Sequence, residues 1–216
     1  MKNPSHIRTR RKAMWDTKAL TKMALLAAVG FLLQRLDVPL PFLPPWLKMD
    51  VAEIPVLLGG FTMGPMAAVI IELVKNALSL PLTKTGGVGE VANFLLGLAL
   101  VFPASMIYRK KPTRKQAIIG LAIGTLALTV IGVILNYAVL MPFYINVMFG
   151  GSAQKLIDFA AAANPNLNSL WMICLFGIAP FNIIKGIFLS VVTLLMYKPL
   201  APFLKLNAVR NQNTRK

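Results

Sequence analysis

Residues 117–141 read AIIGLAIGTLALTVIGVILNYAVLM, a run with no charged side chain. A helix crossing the hydrocarbon core of a bilayer needs about 20 mostly apolar residues, so this stretch is long enough to span a membrane. Residues 170–197 form a similar run downstream, and another extends upstream from just after Gly86-Gly87 to residue 107. Further toward the N-terminus lie residues 65–80, interrupted by Glu72, Lys75 and Asn76, the short run 51–63 closed by Gly64-Pro65, and residues 19–36. These six runs predict an all-α membrane protein, a bundle of six transmembrane helices. Between the first two, VPLPFLPPW at 38–46 cannot be helical throughout, because each proline lacks a backbone amide.

The composition agrees. Of 216 residues, 56% are hydrophobic and only 14% charged, which excludes an ordinary soluble domain. The formal charge of +16 suggests nucleic acid until the cations are located. They gather at the N-terminus (Lys2, Arg8, Arg10, Arg11, Lys12, Lys18, Lys22), at Arg109, Lys110, Lys111, Arg114 and Lys115, and at the C-terminus (Lys198, Lys205, Arg210, Arg215, Lys216). Each cluster borders an apolar run, as the positive-inside rule requires of cytoplasmic flanks. Six spans put all three clusters in the cytoplasm, whereas five or seven would put one outside. The outer loops 37–49, 79–89 and 143–169 then carry few cations, namely Lys48, Lys84 and Lys155. The chain divides into a basic cytoplasmic tail (1–18), a six-helix transmembrane domain (19–198) and a second basic tail (199–216). The first run reads as a retained span, since no small-residue cleavage site follows it. Residues 153–163 form an amphipathic stretch carrying Leu156, Ile157 and Phe159, either a short interfacial helix or a surface loop.

Polar groups within a span are expensive and face the bundle interior, in a functional site or a structural pair. The set comprises Glu72, Lys75, Asn76, Glu90, Asn93, Asn136, Tyr137, Asn182 and Lys185, with Asp50 and Glu53 entering the second run. Asn182 and Lys185 share a helical face just after Pro180, which leaves a ligand notch or an internal ion pair with a distant acid, Glu72 or Glu90, as the two readings. For Glu72, Lys75 and Asn76 a local Glu72–Lys75 pair competes with ligand contact. Trp46 and its neighbouring prolines suit a lid over an outward pocket or an interfacial anchor. Ala24 and Ala28 make a small-xxx-small step that permits close helix approach.

There is no G-x-x-x-x-G-K-[ST], no H-E-x-x-H and no Cys/His cluster: Cys174 sits alone in an apolar run and His6 in the basic tail. These absences predict no catalytic residues, no metal and no resident cofactor. The intramembrane amides and amines suit hydrogen bonding to a neutral polyol or amide.

Four strings carry a family resemblance: PFLPPWLKMDVAEIPVLLGGFTMGP, ELVKNALSLPLTKTGGVGEVANFLLG, LNYAVLMP at 135–142 and GIAPFNIIKGIFLSVV. Together they resemble the riboflavin-specific S component of the energy-coupling factor (ECF) transporter family, in order and from the first span to the last. The resemblance implies a multi-pass subunit of the cell membrane, with both termini cytoplasmic, that captures riboflavin from outside. It implies as partners a transmembrane coupling protein and two cytoplasmic ATPases, alongside membrane lipids, and neither enzyme activity nor nucleic-acid binding. It also implies that Asn136, Asn182 and Lys185 contribute to the vitamin pocket, for which Asn76, Asn93 and Asp50 are further candidates, and that Ala24 and Ala28 contact the coupling protein. The same fold binding FMN or another vitamin is the alternative, with Lys48 and Lys84 as candidate phosphate partners. An intramembrane enzyme and a nucleic-acid-binding anchor are the rivals from other classes.

Overall fold

The computed structural model describes residues 16–204, so most of both basic tails lies outside the described residues. Helix α1 (Thr17–Gln34) leads into a two-stranded antiparallel hairpin, β1 (Val38–Pro39) and β2 (Lys48–Met49), in which Val38 pairs with Met49. Helices α2 (Glu53–Met63), α3 (Pro65–Ser79) and α4 (Val88–Lys110) follow. Then come α5 (Arg114–Val147), the short α6 (Ala153–Ala161) and α7, which opens at Leu170–Met172 and runs through Ala179–Leu204. Five of these helices are long and apolar enough to cross a membrane: α1, α3 with its 3-10 extension, α4, α5 and α7.

The sixth segment, α2, has 11 residues, about 16 Å at 1.5 Å per residue, roughly half the hydrocarbon thickness. It is short because the chain descends into the bundle as β2 and then Asp50, both non-helical, before α2 begins. Its far end reaches the opposite side, where Phe61 stacks on Tyr108 near the end of α4 and Gly64 lies against the Arg109 guanidinium. Gly64 reverses the chain into α3 with φ of 106°, a conformation that side chains with a Cβ avoid. Six passages are thus made with one of them shortened, and the turns missing from α2 leave space above it.

Two long helices pass prolines by way of a π-helical stretch. Residues Asn136–Leu140 and Ile173–Ile178 are π-helical, and at their ends the Met141 amide donates to the Asn136 carbonyl and the Ala179 amide to Cys174. Pro142 and Pro180 each follow such a stretch, in which the wider turn takes up the missing i→i−4 bond. For this reason α5 continues to Val147, six residues beyond the end at 141 expected from Pro142.

The core centres on α2. Val56, Leu57, Ile71, Leu100, Val101 and Leu189 are fully buried around it. Helices α4 and α5 approach most closely at Gly120 and Gly124, where a Cβ on Gly120 would come within 2.7 Å of the Ala104 carbonyl oxygen. This small-residue step was not singled out in the sequence. Outward-facing Leu25, Leu32, Leu126, Ile134, Ile187 and Leu195 are exposed, as a bilayer-facing belt must be. Of the stretch at 153–163, Ala153–Ala161 is helical, with Leu156 and Ala160 buried beneath the hairpin residue Leu47 and Met141.

Candidate functional site

A cavity of about 260 Å³ fills the space above the start of α2. Four helices line it: Gln34 from α1, Gly89, Glu90, Ala92, Asn93 and Leu96 from α4, Leu128, Asn136, Leu140 and Tyr144 from α5, and Phe181, Asn182 and Lys185 from α7. The hairpin and the segment after it supply Trp46, Leu47, Lys48 and Asp50 as a roof and side. At the opposite end, Phe61, Tyr108 and Tyr197 pack together and the Tyr108 and Tyr197 hydroxyls are hydrogen-bonded, so the bundle is closed there.

Five of the six candidate binding residues line this one cavity: Asp50, Asn93, Asn136, Asn182 and Lys185. Asn76 does not. It is buried one layer away, where its amide nitrogen donates to the Glu72 carboxylate at 2.8 Å and to the Glu72 carbonyl at 2.9 Å. The pairing read for Glu72 and Lys75 is present at 2.8 Å, and Lys75 also meets Glu53 of α2 at 2.9 Å. Lys75 is wholly buried, so the pair is held in a dry interior where removing one partner strands the other. Glu72 in turn packs against Gly97 of α4.

Lys185 has a different acid from the two considered. Its ammonium lies 2.8 Å from Asp50 and 3.8 Å from Glu53, not against Glu72 or Glu90. Asp50 also accepts the Ala52 amide at 2.9 Å, which holds the carboxylate at the head of α2. Asp50 and Glu53 connect Lys185 to Lys75, so the cavity floor is one end of a polar chain that runs between α7, α2 and α3.

The three cavity asparagines differ in how far the protein already occupies them. Asn136 donates from its amide nitrogen to the Gly132 carbonyl at 2.8 Å, which leaves its side-chain oxygen available. Among the described residues, Asn182 and Asn93 make no side-chain hydrogen bond. Asn182 sits against Gly132, where any Cβ would collide with its amide. One bare turn of α5 therefore seats both amides. Around these groups Leu47, Leu96, Leu128, Leu140 and Phe181 provide apolar walls.

Several lining residues were not anticipated from sequence. Gln34 and Asp37 fell in a span-to-loop transition, and Tyr144 in what Pro142 marked as loop. Phe181 carried a signal only through its place beside Asn182. Trp46 stacks on Phe159 of α6 at 5.7 Å, which ties the hairpin to the outer helix as well as to the cavity. On α1, Met23, Ala27 and Gly30 face inward, whereas Ala24 is exposed and Ala28 half-buried on the other side. A second concavity, lined by Val69, Leu95, Leu98, Ala99, Phe102, Pro103, Ala127 and Ile131, has only apolar side chains and offers nothing to orient a polar ligand.

The family model for the ECF transporter substrate-specific component matches residues 18–197. Riboflavin transporter RibU of Staphylococcus aureus (strain TCH60) is 42% identical over 196 residues, covering 91% of this chain and 97% of that protein. Riboflavin transporter FmnP of Bacillus subtilis (strain 168) is 30% identical over 192 residues, covering 87% and 94%. A solved structure described as "Structure and mechanism of the S component of a bacterial ECF transporter" is 39% identical with a TM-score of 0.69, covering 88% of this chain and 98% of its own.

Proposed function

This chain belongs to the substrate-specific components of ECF transporters, and from that premise we propose that it captures riboflavin in the cavity above α2. The observation that carries the reading is the pairing of apolar walls with the unclaimed amides of Asn93 and Asn182 and the free side-chain oxygen of Asn136. Riboflavin has a flat, largely apolar ring system edged with carbonyls and nitrogens, and a ribityl chain of hydroxyls. An amide both donates and accepts, so it suits either part, and a few such groups among apolar walls are the usual make-up of a small-molecule site. The relatives whose names refer to riboflavin support the same choice.

The protein is a multi-pass membrane subunit that works with an energy-coupling module. In our reading that module consists of a transmembrane coupling protein and two cytoplasmic ATPases, approached through Ala24 and Ala28 of α1. Both termini are cytoplasmic and the cavity opens outward. Titrating the purified protein with riboflavin and following flavin fluorescence tests the central point: saturable quenching supports it, and no quenching at micromolar protein removes it.

A further inference from the structure

We infer that Glu90 makes the cavity select unphosphorylated flavin, by rejecting the phosphate of FMN; this rests on the riboflavin reading above. The charged side chains lining the cavity are Asp37, Lys48, Asp50, Glu90 and Lys185. Four of them are paired off. Lys48 meets both oxygens of Asp37, at 3.0 and 3.1 Å, and Lys185 meets Asp50 at 2.8 Å. Glu90 has no cation partner among the described residues, so the uncompensated charge facing the ligand is a carboxylate.

Glu90 is held in place. It lies in the first turn of α4, where the partial positive charge of the helix N-terminus favours a carboxylate. Its Oε2 accepts from the Thr83 hydroxyl at 2.7 Å and from Thr85 at 3.4 Å, and the Thr83 hydroxyl in turn accepts the Gly87 amide at 3.0 Å. The loop that delivers it turns on Gly86 and Gly87, with φ of 62° and 94°. A phosphate entering the cavity meets this fixed negative charge, and both lining lysines already hold acids. Lys84, the other cation weighed for a phosphate, is exposed and does not line the cavity. Neutral riboflavin meets no such opposition, and Glu90 can accept one of its hydroxyls.

The test is the ratio of the FMN and riboflavin dissociation constants, measured by fluorescence titration of the full-length purified protein. The wild type should bind FMN at least about tenfold more weakly, and Glu90→Gln should narrow the ratio by about tenfold. A purely structural loss would weaken both flavins together and leave the ratio unmoved. Asp37→Asn, at the exposed rim, frees Lys48 and should narrow the ratio independently of how α4 tolerates its own change. If the wild type binds riboflavin but shows no preference over FMN, or if Glu90→Gln keeps the wild-type ratio, the selection by Glu90 is overturned and the riboflavin reading stands. Binding of neither flavin overturns both.

Discussion

Asp50 and Lys185 stand 135 positions apart in the chain and meet at 2.8 Å across the cavity floor, joining the head of α2 to α7. Their side chains are only about a tenth exposed, at 10% and 12%. Removing one partner of such a pair leaves the other charge without compensation, typically at about 3–5 kcal/mol when burial is complete. Lys185→Ala should therefore lower the melting temperature and weaken riboflavin binding together. Replacing both groups, with Asp50→Asn and Lys185→Met, should recover much of the stability and little of the binding. A double variant as unstable as the single one would show that the pair is not what links them.

The bare turn at Gly132 gives a second expectation. A methyl group there collides with the Asn182 amide, which is the end of a flexible side chain and can move aside. Gly132→Ala should leave the fold near wild-type stability but cut riboflavin affinity by about tenfold or more, as displaced or lost hydrogen bonds in a dry site do. Asn182→Ala should have a similar effect, and the two changes combined little more than either. Additive losses in titration would separate the residues again.

Lys75 lies outside the cavity, so its replacement tests structure rather than recognition. Lys75→Met strands Glu53 and Glu72 in the interior. The loss should be on the order of several kcal/mol, read as poor accumulation in the membrane and early thermal unfolding. Gly97→Leu should act in the same direction by displacing the Glu72 carboxylate.

On α1 the expected split is between uptake and binding. Ala24→Trp projects from the exposed side of the helix, so it should abolish riboflavin uptake by cells while the isolated protein still quenches flavin fluorescence, because only the approach of a partner helix is obstructed. Wild-type uptake in Ala24→Trp and Ala28→Trp alike would remove this surface as the coupling face.

Orientation is open to a direct measurement. In the orientation proposed above, a cysteine at Pro112, in the basic turn between α4 and α5, should react with a membrane-impermeant thiol reagent only after the cells are opened. Labelling of intact cells there would invert the topology, and the cavity with it.

Much of this protein could be read in its sequence. Partition into a bilayer depends on the composition of a window of residues, so the six apolar runs, the basic clusters beside them and the presence of polar groups within the runs need no knowledge of packing; which of those groups face inward does, and Tyr137, expected inside, is half exposed against Trp171. Asn136, Asn182 and Lys185 stood out because polar groups in such runs are expensive, and the four family strings added riboflavin. What only the tertiary structure decided depends on how deep each helix sits and how it is rotated against its neighbours. Helical periodicity placed Asn76 on one face with Glu72 and Lys75 but could not say which way that face turned, and it turns toward Glu53 rather than the cavity. Nothing local to Lys185 named Asp50 as its partner, because that meeting requires α2 to begin late. Nor did Pro142 reveal that α5 carries on to Tyr144, since a π-helical turn absorbs the missing amide bond. The cavity itself is a vacancy left where α2 is short, and a vacancy is a property of the packed bundle, with no residue of its own to announce it.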